Sequence, residues 1–106
     1  MWPSHQKAAK PAEPKWSDNG NAATQYNLGG VYEVGLGVQK DLGKAAQFYQ
    51  KAADQGFADA QVSLGRLYEK GEGVPKDLDK ARELYQKAAN QGNGLGIKNL
   101  KKLQGR

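Results

Sequence analysis

A chain that repeats itself at a fixed offset has few folds open to it, because each copy must bury its apolar side against the next. Shifted by 36 residues, positions 21–56 lie over positions 57–92 with 21 identities and no gap. Leu28-Gly29 meets Leu64-Gly65, and Tyr32-Glu33 meets Tyr68-Glu69. Gly35-x-Gly37-Val38 meets Gly71-x-Gly73-Val74, and Lys40-Asp41-Leu42 meets Lys76-Asp77-Leu78. Tyr49-Gln50-Lys51-Ala52-Ala53 meets Tyr85-Gln86-Lys87-Ala88-Ala89. A period of this length means stacked supersecondary units.

Each unit reads as two helices. In the second copy Ala60, Leu64, Leu67 and Tyr68 fall at i, i+4, i+7 and i+8, one stripe of a helix. Leu78, Ala81, Tyr85, Ala88 and Ala89 make a second stripe. Gly71-Glu72-Gly73-Val74-Pro75-Lys76 breaks the chain between them. Asp41 and Asp77 occupy the N-cap position of each second helix, where a carboxylate accepts first-turn amide protons. Gly56 and Gly92 follow those helices at the site that favours glycine. Small residues at Gly29, Gly65, Ala45, Ala52, Ala81 and Ala88 let helix axes approach closely. Tyr32, Tyr49, Tyr68 and Tyr85 recur at the period and read as packing residues.

In that order and spacing, Leu-Gly-x-x-Tyr, Gly-x-Gly-Val, Asp-x-x-Lys-Ala and Tyr-x-Lys-Ala-Ala-x-x-Gly resemble the Sel-one-like repeat, a relative of the tetratricopeptide repeat. The resemblance covers residues 21–92. Copy one departs at Gln39, Gly43 and Gly30, where copy two has Pro75, Asp79 and Arg66. The implied fold is all-α: a short right-handed α/α solenoid of two helix–turn–helix repeats plus a C-terminal capping helix. The expected organisation is a Pro/Lys/Ala leader over 1–20, repeats over 21–56 and 57–92, and a basic capping helix and tail over 93–106. In the leader, Trp16 is a candidate for folding onto the first helix. In the cap, Ile97, Leu100 and Leu103 form an apolar stripe, Lys101 replaces the packing glycine, and Gly92, Gly94 and Gly96 are expected to fray the start. The alternative to a solubilising cap is a basic helix for an acidic partner or a membrane surface.

Charge is informative only once located. The chain carries +5 overall, yet both repeats are neutral and residues 93–106 hold four bases and no acid. A nucleic-acid groove would spread its cations across the folded face, so no nucleic-acid partner is expected. Cysteine is absent, which removes disulfides, thiolate metal sites and a cysteine nucleophile. No run of apolar residues is long enough for a membrane span. No secretory signal is read in the first residues, so the compartment is open: cytoplasmic by default, with an exported protein whose signal has been removed as the alternative.

No catalytic constellation assembles. His5 is the single histidine and lies in the leader. The acidic residues are dispersed, so neither metal nor cofactor is expected. Gly35-x-Gly37 and Gly71-x-Gly73 resemble a phosphate loop but follow helices and lack the third glycine. What remains is surface. The resemblance implies a non-enzymatic, bacterial-type scaffold or adaptor, with a peptide or protein partner on the concave face of the first helices. The matching positions are Ala23, Tyr26, Gly30, Glu33 and Val34 in copy one, then Asp59, Val62, Arg66, Glu69 and Lys70 in copy two, with Lys98 and Lys102 in the cap. Tyr26, Arg66 and Lys70 stand out, because aromatic and cationic side chains anchor interfaces. The alternative is a specific inhibitor, immunity protein or regulatory subunit, the short array being completed by its partner or by self-association. A cell-envelope hydrolase is a third and remoter reading, for which no residue set is present.

Overall fold

The computed structural model describes residues 21–105. The expected leader, with Trp16 and His5, and the terminal Arg106 lie outside the described residues. Five helices follow one another: α1 (Ala22–Val34), α2 (Leu42–Asp54), α3 (Ala58–Lys70), α4 (Leu78–Asn90) and α5 (Gly94–Gln104). There is no strand among the described residues. The architecture is the expected short all-α solenoid. α1 packs on α2 and α3 on α4 as hairpins, α2 meets α3, and α4 meets α5.

Local chemistry sets each boundary. Asp41 and Asp77 accept the amide protons of Lys44 and Lys80 at 3.0 Å, as expected for N-caps. Asn21 and Asn93 cap α1 and α5 in the same way, through Thr24 and Gly96. α3 has no side-chain cap: Phe57 stands at that position and packs against the core instead. Asp59 in its first turn still places negative charge at the positive end of the helix dipole. Each long loop is fastened back on its own first helix, where Asp41 and Asp77 donate their amide protons to the carbonyls of Tyr32 and Tyr68 at 2.9 Å.

Two apolar clusters run through the stack, and α3 supplies both. Ala60, Leu64 and Leu67 join Ala45, Tyr49 and Ala52 of α2. Val62, on the same helix, joins Ala81, Tyr85 and Ala88 of α4 and Leu100 and Leu103 of α5. Tyr68 packs against both clusters. The glycines of the Leu-Gly pairs hold the hairpins shut. A Cβ on Gly29 would lie 2.5 Å from the Tyr49 ring, and one on Gly65 would lie 2.7 Å from Tyr85. The ring therefore occupies the space a side chain would need.

The cap differs from expectation in two places. α5 is helical from Gly94 onward, and Gly96 is a packing residue rather than a source of fraying. It is buried, and a Cβ there would meet Ala88 Cβ at 2.7 Å. The apolar stripe is Gly96, Leu100 and Leu103, whereas Ile97 faces outward at 38% exposure. Ile97 lies only one residue past Gly96, which turns it by about 100° away from α4.

Candidate functional site

The first helices α1, α3 and α5 carry the sequence-predicted residues, and one ion pair reveals how their faces relate. Arg66 of α3 reaches back to Glu33 of α1, with Nη2 at 2.6 Å from Oε2. Tyr49 of α2 donates its hydroxyl proton to the other oxygen of the same carboxylate at 2.5 Å. Position 66 therefore faces along the row of first helices, and position 102, one period later, takes the same place on α5. In the second unit Tyr85 donates to Glu69 at 2.7 Å, repeating the Tyr49–Glu33 contact.

The Glu33 carboxylate is half-buried, which by itself favours the neutral acid. The hydrogen bonds from Tyr49 and Arg66, with the charges of Arg66 and Lys40, outweigh burial and hold the group below its ordinary value of 4.5. Burial and the adjacent Glu33 charge push the Tyr49 phenol upward. The Arg66 guanidinium loses hydration, but its bond to Glu33 raises its affinity for the proton. This is a structural clamp between two repeats in which every member remains in its ordinary charge state near neutral pH.

The predicted residues therefore divide. Val62 is 4% exposed beneath Leu100 and Leu103, so it is a core residue and not a contact for a partner. Arg66 and Glu33 are committed to each other. Tyr26 is half-buried, with its ring 5.7 Å from Tyr49 and 5.4 Å from Phe57. Gly30 lies beneath the Tyr49 hydroxyl, and Glu69 holds Tyr85. Asp59 is exposed and accepts a proton from Asn93 at 2.9 Å. Ala23, Val34, Lys70, Lys98 and Lys102 are exposed, and Val34 most clearly at 69%.

Several surface features were not foreseen. Leu36 and Leu95 are 70% and 58% exposed, although neither falls on a recurring stripe. Gln91 donates to the Gly56 carbonyl at 2.9 Å and to Gln61 at 3.1 Å, linking the two units. An open cleft of about 560 Å³ lies between α2, α3 and the α3–α4 loop, lined by Ala46, Gln50, Lys51, Leu64, Tyr68 and Val74 among others. None of the predicted residues lines it. Among the described residues no group of three or more His, Asp or Glu side chains is placed to hold a metal ion, and no helix is long and apolar enough to cross a membrane.

The Sel1 repeat family model matches this chain twice, over residues 22–57 and 58–93. The chain belongs to the Sel1 repeat family. Solved relatives agree in fold. A Sel1 repeat protein from Oxalobacter formigenes superposes with a TM-score of 0.77 at 44% identity over 78% of this chain. The protective antigen c5321 of uropathogenic Escherichia coli gives 0.74 at 41% over 79%. Cysteine rich protein B of Helicobacter pylori gives 0.71 at 35% over 74%. The Sel1 chain described here spans 34%, 18% and 59% of those three chains. A curated relative, the DAP3-binding cell death enhancer 1 of Rattus norvegicus, is 49% identical over 37 residues, only 7% of that protein's length. Sel1 repeat proteins are generally protein–protein interaction modules, and that coarse function is the one membership carries.

Proposed function

We propose that this Sel1 chain is a non-enzymatic adaptor that holds a peptide segment of a protein partner on the concave face of α1, α3 and α5. One observation carries the reading. After the internal contacts are subtracted, the first-helix positions Ala23, Val34, Lys70, Lys98 and Lys102 remain exposed, and they are positions where the two repeats are free to differ. Arg66 and Tyr26 support this face from behind and do not offer their full side chains to a ligand.

The test avoids substitutions that would loosen the Glu33 clamp. A photoreactive residue is placed at Ala23, Lys70 or Lys98, and separately at Gln47 or Lys87 on the second helices. Crosslinks to a protein partner in host lysate are expected from the first set alone. Crosslinks from Gln47 and Lys87 with none from the first set would overturn the assignment of the face.

A second reading has its own support. Val34, Leu36 and Val38, where α1 ends and the first loop begins, are each exposed. Such side chains suit an inhibitor or regulatory subunit whose partner completes the array. Under that reading, crosslinking at Leu36 would yield a single enzyme.

A further inference from the structure

Some cations of this molecule are held by its own side chains and others are not. On the second helices, Lys44 and Lys51 sit over the rings of Tyr32 and Phe48 at 5.4 and 5.6 Å. Arg82 pairs with Asp79 and Lys80 with Glu83. Lys40 and Lys76 in the loops and Lys87 on α4 are exposed outside any ion pair among the described residues, and so are Lys70, Lys98, Lys101 and Lys102, which alone of these lie on the first helices.

α5 carries three lysines and no acid. Lys98 is three and four residues from Lys101 and Lys102, a spacing that sets like charges side by side and weakens a helix. The helix dipole compensates cations in the last turn, which accounts for Lys101 and Lys102. It leaves Lys98 with no compensation. Along the period the charge also rises: Tyr26, Gly30 and Val34 are uncharged in the first unit. Arg66 and Lys70 follow in the second, and Lys98 and Lys102 in the cap.

Resting on the adaptor reading above, we propose that the partner segment is an acidic peptide. Its carboxylates lie over Lys70, Lys98 and Lys102, and its apolar end lies toward Val34 at the end of α1. Neighbouring helix axes lie about 10 Å apart, a gap that about three extended residues span. Carboxylates spaced three or so residues apart would therefore reach both α3 and α5. Polyanions fit less well. The repeats are neutral overall, so their lysines are interspersed with acids and only α5 is basic throughout, whereas a nucleic acid would require a continuous basic face. The one aromatic ring in the row, Tyr26, is packed against Tyr49 and Phe57 and is not offered for base stacking.

The test is fluorescence anisotropy on the full chain with labelled peptides of about eight residues. One has two leucines followed by spaced glutamates, one has glutamine in place of each glutamate, and one has lysine. A thymidine oligonucleotide and phosphatidylserine vesicles serve as competing anions. The acidic peptide is expected to bind at least about tenfold more tightly than its glutamine analogue, and the advantage should shrink as salt rises. The Lys98→Glu/Lys102→Glu variant alters exposed residues alone, so its circular dichroism should match the parent while the acidic preference disappears. Equal affinity for the acidic and amide peptides, no detectable binding of the acidic peptide, an unaffected double variant, or tighter binding of the oligonucleotide or vesicles would each overturn the proposal. Preference for the neutral or basic peptide would overturn it while leaving the adaptor reading intact. Failure of that reading shows separately, as crosslinks from the second helices.

Discussion

The two repeats share most of their sequence, yet α1 buries two residues, Gln25 and Gly29, where α3 buries seven. Leu64 is 1% exposed, and Leu28 at the same place in the period is only half-buried. The residue is identical, so the difference comes from its neighbours. α3 lies between α2 on one side and α4 and α5 on the other, while α1 packs chiefly on α2. In a stacked repeat, burial belongs to a position in the array and not to a position in the motif. The rims differ too, although all four residues are exposed: Lys70 and Glu72 of the internal repeat stand where the outer one has Val34 and Leu36.

The largest test of this contrast is truncation of the shared leucine. Leu64→Ala should cost about 3 kcal/mol through lost burial and a residual cavity, and lower Tm by more than about 10 °C in a domain this size. Leu28→Ala should cost about 1 kcal/mol. Equal drops in a thermal melt would mean that α1 is as enclosed as α3.

A smaller pair sharpens the point at neighbouring glycines. Gly29→Ala drives a methyl into the Tyr49 ring and should cost about 1–2 kcal/mol. Gly65→Ala should behave alike against Tyr85, because this contact lies within a hairpin and is common to both repeats. Urea unfolding at constant m-value would check that symmetry.

The clamp between the repeats should appear in acid. Glu33 has a native pKa below its ordinary 4.5, so the unfolded chain takes up this proton first as pH falls. Its stabilising contribution is present above pH 4.5 and fades as the pH drops from there through the lowered native value. Glu33→Gln should lose about 1 kcal/mol near neutral pH. It should also flatten the acid limb of stability against pH. An unchanged acid limb would remove Glu33 from the account.

The smallest effect is a gain. A Cβ on Gly30 would meet nothing nearer than the Tyr49 hydroxyl at 3.8 Å, so Gly30→Ala should stabilise α1 by about 0.5–1 kcal/mol through helix propensity. A loss in the melt would indicate that the backbone at Gly30 is needed free.

The fold was legible because the 36-residue period carries caps, turns and stripes twice over. The candidate surface was legible only in part. Its row of positions follows from the same period, but the sequence does not say which members are spent on the protein itself. Val62 looked like a variable surface position, and Leu100 and Leu103 of α5 cover it. Arg66 looked like an anchor for a partner, and its partner is Glu33, 33 residues earlier. Gly96 looked like a weak point in a helix, but the missing side chain is what admits α5 to Ala88. Each of these depends on a contact between units, and no local pattern encodes it.

Because α3 lends residues to both apolar clusters, neither hairpin can peel away without opening the core of the other. Pulled by its two ends, the molecule could not part between the repeats without exposing both apolar clusters. The ends would yield first, α5 lifting from α4 and Val62 of α3, and α1 from α2 and the Arg66 clamp, before the middle gives way.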